Sequence, residues 1–108
     1  MAQNFRRYTS NAVGTSPAAV YTANSYDAIV GISLSNILGT AINVSCYIND
    51  GSNNIYLVKD APIPTGGSLQ VLDGGAKFVV QNLDVLSVVS DTASSCDVWG
   101  SAVDEIST

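Results

Sequence analysis

Eight consecutive residues in the middle of the chain alternate strictly between apolar and polar side chains, and they read Ile42, Asn43, Val44, Ser45, Cys46, Tyr47, Ile48 and Asn49. Side chains on an extended strand point alternately to opposite faces, so one face of this run is apolar and the other polar. The run therefore predicts a β-strand with one face in a core and the other in water or at an interface. Elsewhere the chain does not sustain the three-to-four-residue apolar spacing of a helix.

Turn-forming residues divide the rest of the chain into further short strands. Residues 28–36 alternate as well, and this pattern predicts Val30, Ile32 and Leu34 inside and the small residues Gly31, Ser33 and Ser35 outside. Three hairpins are predicted, with turns at NDGSNN (49–54), DGG (73–75) and DTASS (91–95). The segment 61–67 carries two prolines and two glycines, and we expect it to carry the chain from one sheet to another.

Eight or nine short strands at this spacing are typical of an all-β fold, an antiparallel two-sheet β-sandwich of about eight strands with jelly-roll or immunoglobulin-like topology. The 108 residues suffice for one domain with a single core. Within it, residues 1–8 are a candidate N-terminal arm and residues 104–108 a short C-terminal tail.

Charge is sparse and acidic: 12% of the residues are charged, and the formal net charge is -5. Sparse surface charge favours a chain that packs against neighbours, and the acidic balance argues against nucleic acid or anionic lipid as a partner. The chain shows no secretory signal and no apolar run of membrane-spanning length. We therefore expect assembly in a cytosol and no membrane partner, with Cys46 and Cys96 as two free thiols.

The residues needed for catalysis are scarce. Histidine is absent, which removes the hydrolase arrangements that depend on an imidazole. Nearly every carboxylate lies in or beside a predicted turn, where capping is its ordinary role. We therefore predict no enzyme activity, no catalytic residues, no cofactor and no metal.

Residues suited to protein contacts are easier to find, because aromatic and arginine side chains are enriched where proteins meet. The candidate interface residues are Phe5, Arg6, Arg7, Tyr8, Tyr47 and Tyr56. On a strand, Arg6 and Arg7 point to opposite faces, so they cannot form one basic patch. Trp99 faces either the core or outward, and we predict that it anchors the core.

Three stretches of the chain resemble the small virion structural proteins of tailed bacteriophages, particularly those of marine and cyanobacterial hosts. They are MAQNFRRYTSNAVGTSPAAVYTA, YINDGSNNIYLVKDAPIPTGGSLQVLDGGAKFVVQ and NLDVLSVVSDTASSCDVWGSAVDEIS. The resemblance implies a non-enzymatic component of the virion, either a capsid decoration (cement) protein or a small part of the tail, neck or fibre attachment.

Three functions are compared on this basis. The first is a decoration protein that binds the outer capsid surface and bridges capsid subunits, in many copies or as a homo-oligomer. The second is an adaptor that binds tail or neck proteins in few copies. The third is a carbohydrate-binding module, for which Tyr47 or Tyr56 beside the 49–54 loop would supply the aromatic platform.

Overall fold

The computed structural model describes residues 4–72 and 77–104, and the regular elements in these ranges are all β-strands. They are β1 (Asn4–Val13), β2 (Ala18–Thr22), β3 (Asp27–Asn36), β4 (Ile42–Asn49), β5 (Asn54–Ile63), β6 (Ser68–Leu72), β7 (Phe78–Val80), β8 (Val85–Ser90) and β9 (Cys96–Asp104). None of the described residues forms a helix long and apolar enough to span a bilayer.

The strands form two antiparallel sheets. The first sheet has the order β1-β9-β3-β6, and β7 pairs with the same edge of β3 as β6. The second sheet has the order β2-β8-β4-β5. Their inner faces share one apolar core, to which β3 contributes Ile32 and Leu34 and β4 contributes Val44 and Cys46. The predicted all-β, two-sheet antiparallel sandwich is confirmed.

The inward face of β3 differs from the prediction at one position. Ile29, Ile32 and Leu34 are buried, whereas Val30 is only partly buried. The pairing of β3 with β9 shifts register between Ile29 and Gly31. An extra residue in a strand reverses the side-chain alternation on either side of it, so the strict alternation placed Val30 inside in error.

The 49–54 hairpin is confirmed, since Asn49 pairs with Asn54 and joins β4 to β5. The Asp50 carboxylate accepts hydrogen bonds from the backbone N–H groups of Ser52 and Asn53, at 3.0 and 2.8 Å. These bonds lower the pKa of Asp50 below its ordinary value. Gly51 supplies the left-handed backbone that the turn requires, with a φ of 98°.

The other two predicted hairpins are wrong. β6 and β7 do not pair with each other but lie one after the other along β3; the predicted turn at 73–75 lies outside the described residues. β8 and β9 belong to different sheets, so the segment 91–95 crosses the sandwich. Turn residues predict that the chain reverses direction. They do not distinguish a hairpin within one sheet from a crossing to the other sheet, because both use the same residue types.

The predicted crossing at 61–67 is confirmed, because β5 ends in the second sheet and β6 begins in the first. The crossing is tied down by the buried side chain of Asn36. Its Nδ2 donates to the carbonyl oxygens of Thr40, Ile63 and Pro64 at 2.7, 3.1 and 3.3 Å, and its Oδ1 accepts the Leu38 N–H at 2.9 Å. A residue of the first sheet thus holds the end of a strand from the second.

The connections between strands collect at two ends of the sandwich, whose longest dimension is 45 Å. One end holds the turns 23–26, 50–53 and 81–84 and the start of β1; we call it the proximal end. The other holds the turns 14–17, 37–41, 64–67 and 91–95, and we call it the distal end.

Candidate interaction surfaces

The first strand is paired with β9 from Asn4 to Ser10 before its register shifts. Residues 4–8 of the candidate arm are therefore part of a sheet, and residues 1–3 lie outside the described residues. Phe5 and Arg7 point away from the core and Arg6 and Tyr8 point towards it, so the predicted division of the arginines between two faces is confirmed.

Tyr8 is a core residue and not an interface residue, which corrects the sequence-based assignment. Only 6% of its surface is exposed, and its hydroxyl donates to the Gly31 carbonyl oxygen at 2.9 Å. Its ring lies over Gly100, the residue opposite it on β9, and a Cβ on Gly100 would sit 1.9 Å from the Tyr8 ring. The missing side chain at Gly100 is what admits the ring.

Arg6 is occupied by an ion pair at the proximal end. Its Nη1 donates to Oδ2 of Asp104 at 2.9 Å, where the arginine side chain is half exposed and the carboxylate is buried. This pair fastens the start of β1 to the end of β9. Asp104, predicted as the first residue of a tail, is therefore a paired strand residue; residues 105–108 lie outside the described part.

A second polar group lies nearby at the start of β3. The Tyr21 hydroxyl donates to Oδ2 of the buried Asp27 at 2.6 Å, and the Ser25 hydroxyl donates to Oδ1 at 3.1 Å. Burial, and then the hydrogen bond to Asp27, raise the pKa of Tyr21. These hydrogen bonds stabilise the fold beneath the proximal end.

Tyr47 and Tyr56 form a pair on the outer face of the second sheet, with ring centroids 5.1 Å apart. Tyr47 is only 9% exposed. Tyr56 is more exposed, but the Lys59 ammonium lies 4.6 Å from its ring centroid. The pair is therefore mainly cover for the sheet, and Tyr47 offers little surface to a partner.

The proximal end exposes several large apolar side chains. Phe5 is 86% exposed and Leu83 is 69% exposed, and Tyr26, Ile55 and Val79 are exposed at the same end. We call Phe5, Tyr26, Val79 and Leu83 the proximal apolar cluster. Only Phe5 of these four was identified from the sequence, because the turns 23–26 and 81–84, which carry Tyr26 and Leu83, are brought together by the fold.

Leu83 also has a strained backbone. Its φ is 74°, in the left-handed region that costs a non-glycine residue about 1–2 kcal/mol. Its N–H donates to the Ala23 carbonyl oxygen at 2.8 Å, which joins the two turns of the proximal end. A large, exposed apolar side chain in a position that suits glycine marks this turn as a candidate for function.

Trp99 is on the surface, so the prediction that it anchors the core is wrong. Its side chain is 57% exposed on the outer face of the first sheet. Val98 is buried, and alternation on β9 therefore turns Trp99 outward; this signal was available in the sequence. The Arg7 guanidinium carbon lies 5.7 Å from the Trp99 ring centroid.

Beside Trp99 lies a shallow depression of about 270 Å³, towards the distal end. It is lined by Thr9, Ser10, Asn11, Ser35, Asp97, Val98 and Trp99. Oδ1 of Asp97 accepts the Ala12 N–H at 2.8 Å, and Ala12 has a φ of 55° where the register of β1 shifts. A bulge held by a carboxylate therefore shapes one wall.

The two cysteines have structural roles. Cys46 and Cys96 are free and buried, as predicted for thiols. Burial, and then the proximity of Cys96, raise the pKa of Cys46 to about 12, and burial raises the pKa of Cys96 to about 11. Such thiols are protonated near neutral pH and unreactive. Among the described residues, no group of three or more acidic, cysteine or histidine side chains could hold a metal ion.

Comparison with known proteins finds likeness in structure alone: no family model and no curated protein matches the chain. A chain of the acidic stable capsid structure of Helicobacter pylori bacteriophage KHP30 is similar, with 10% identity and a TM-score of 0.61 over 95% of this chain and 87% of that one. A chain of the Bacillus endospore appendages that form disulfide-linked pili is also similar, with 20% identity and a TM-score of 0.54 over 94% of this chain and 84% of that one. At these identities the likeness shows a common fold.

Proposed function

We propose that the chain is a non-enzymatic structural component of a phage particle. Of the possible roles in the particle, we favour that of a capsid decoration protein. In this role it binds the outer capsid surface and bridges neighbouring capsid subunits, in many copies. It assembles in the host cytoplasm and becomes part of the virion. The partner is the capsid protein, and neither nucleic acid nor a membrane takes part.

The proximal apolar cluster carries this proposal. Large exposed apolar groups are costly in water, and where several gather at one end of a molecule they mark a surface that meets another protein. Phe5 and Leu83 are the most exposed of them, and the strain at Leu83 is explained if its side chain is needed outside the molecule. Both structural neighbours belong to assemblies of many copies, a capsid and a pilus, which is the setting the proposal requires.

The test is co-sedimentation of the purified protein with phage particles that lack it. We expect Phe5→Ser and Leu83→Gly each to weaken binding at least tenfold, because each removes an apolar contact from the interface. The matched control is Ile37→Ser, which removes an exposed apolar side chain from the distal end. Equal binding by all variants, or equal loss in the control, would rule out the proximal end as the attachment surface.

Deletion of residues 1–8 is a poor test, because it would remove Tyr8 from the core and break the Arg6–Asp104 ion pair. Substitution of single exposed side chains keeps β1 in place and separates binding from folding.

The alternative, a tail, neck or fibre adaptor, uses the same surface with a different partner. The number of copies per virion distinguishes the two roles, since decoration requires hundreds and an adaptor only a few. Quantitative mass spectrometry of purified virions measures this number directly. The third function, a carbohydrate-binding module built on Tyr47 and Tyr56, has little support, because Tyr47 is only 9% exposed and offers little surface to a sugar.

A further inference from the structure

We infer that the depression beside Trp99 is a binding site for a neutral sugar residue, such as a hexose of a surface glycan. The site is distinct from the proximal apolar cluster and faces the distal part of the first sheet. A particle component attached by its proximal end would thus present a saccharide site away from its attachment point.

The first observation is the exposed indole. Burying a tryptophan side chain contributes strongly to the stability of a small sandwich, yet the Trp99 side chain is 57% exposed. Its neighbours on β1 and β3 are the small residues Thr9 and Ser33. The negative face of an aromatic ring attracts the weakly positive C–H groups that cover one side of a pyranose. An exposed indole on a surface of small residues offers this platform.

The second observation is the set of polar groups around the platform. The depression is lined by Thr9, Ser10 and Ser35, which carry hydroxyls, by Asn11, which carries an amide, and by Asp97, which carries a carboxylate. Amide and carboxylate groups can bind adjacent sugar hydroxyls, because the amide both donates and accepts and the carboxylate accepts at two oxygens. A few polar groups beside an apolar surface are typical of small-ligand sites.

The third observation is that this geometry is held at a cost. Ala12 adopts a φ of 55°, in the left-handed region, at the bulge that directly follows Asn11, a residue that lines the depression. The Ala12 N–H is bound by Oδ1 of Asp97, so the bulge and the carboxylate fix each other. Bulges and strained residues concentrate at binding sites because they direct side chains there.

Charge indicates which sugars fit. Asp97 lines the depression and the chain carries a net charge of -5, whereas Arg7 lies over the Trp99 ring without lining the depression. A carboxylated or sulfated sugar would be repelled by Asp97 at close range. A neutral hexose or N-acetylhexosamine meets no such repulsion.

Trp99 is the only tryptophan of the chain, so its fluorescence reports on this site alone. We expect lactose, maltotriose, mannotriose or chitotriose to give a saturable change in emission, with sialyllactose no better than lactose. The variant that lacks the tryptophan has no such emission, so saturation-transfer NMR measures the sugar affinity of the variants. Trp99→Ala should weaken binding at least tenfold, and Asp97→Asn, whose amide oxygen still accepts the Ala12 N–H, severalfold.

The controls are Tyr56→Ala, an exposed aromatic on the other sheet, and Phe5→Ser at the proximal end; both should leave sugar affinity unchanged. The inference is overturned if none of the four neutral sugars produces a saturable change, or if Trp99→Ala binds as tightly as the unsubstituted protein. Neither readout involves phage particles. A negative result for sugar binding therefore leaves the proposed attachment through the proximal end untouched, and co-sedimentation tests that attachment separately.

Discussion

At the residue scale, the side chain on the neighbouring strand explains why a glycine occupies position 100. Gly100 accommodates the Tyr8 ring, and a Cβ at Gly100 would lie 1.9 Å from that ring. We therefore expect Gly100→Ala to lower the free energy of unfolding by about 1–3 kcal/mol, the usual cost of forcing extra volume into a packed core. Urea denaturation measures the change.

Gly39→Ala is the matched control for this substitution, because nothing lies within 4 Å of a Cβ built at Gly39. Its effect should stay within about 0.5 kcal/mol. A Gly100→Ala protein as stable as the control would mean that the Tyr8 ring can leave the core without loss.

We predict that Leu83 lowers the free energy of unfolding and strengthens binding to phage particles. Leu83→Gly should raise the free energy of unfolding by about 0.5–1 kcal/mol, since relief of the left-handed strain exceeds the flexibility that glycine adds to the unfolded chain. The same variant should bind particles less well. Thermal unfolding measures the first effect, and a loss of stability in Leu83→Gly would contradict the strain at φ 74°.

The buried thiols make stability depend on alkaline pH. Unfolded cysteines ionise near pH 9.0, whereas the pKa values of Cys46 and Cys96 in the folded state are about 12 and about 11. Above about pH 9 the unfolded state releases protons that the folded state keeps, so stability is full below this pH and falls as the pH rises towards 11 or 12. Urea denaturation at several alkaline pH values should show this fall.

Cys46→Ala should make the fall with pH shallower in the range just above pH 9. Because alanine also leaves a small cavity, the comparison is between slopes with pH and not between absolute stabilities. An unchanged slope would show that the thiol at position 46 is not protected in the folded state.

At the scale of elements, the strands were predictable and their pairing partners were not. The alternation of 42–49 is local and predicted β4 and its inward face correctly. Only the 49–54 turn is a true hairpin among the three predicted, because a turn motif does not specify whether the chain continues in the same sheet or crosses to the other. Bulges escaped prediction for the same reason, since they depend on the partner strand.

Asn36 is the clearest element-level contact that the sequence did not reveal. Asn36→Ala would remove the hydrogen bonds to the carbonyl oxygens of Thr40, Ile63 and Pro64, of which the bond to Ile63 is buried, and we expect it to lower the free energy of unfolding by about 1–3 kcal/mol. Asn54→Ala is the control, because Asn54 is exposed and its amide oxygen accepts one exposed hydrogen bond from Asn49. Equal stability of the two variants would contradict the anchoring role.

At the scale of the whole molecule, most connections between the described strands join one sheet to the other. Of the eight connections between consecutive strands, all but those after β4 and β6 cross from one sheet to the other. We therefore expect a single cooperative transition, with folding on the millisecond-to-second scale that non-local strand pairing imposes.

Hydrogen exchange tests this cooperativity with two core variants, Leu34→Ala in the first sheet and Val44→Ala in the second. Each should accelerate exchange at the most protected amides of both sheets by a similar factor, because both sheets open together. Acceleration confined to the substituted sheet would show two independent folding units.

The sequence by itself determined the all-β class, the antiparallel sandwich, the inward face of β4 and the separation of Arg6 from Arg7, because each follows from the two-residue alternation of an extended strand. It also removed the common histidine-dependent chemistries by composition alone. Only the tertiary structure decided that Tyr8 is buried, that a polar depression lies beside Trp99, and that Phe5, Tyr26, Val79 and Leu83 lie at one end. These outcomes depend on which strands become neighbours, and neighbours distant in the sequence are chosen by the packing of two whole sheets against each other.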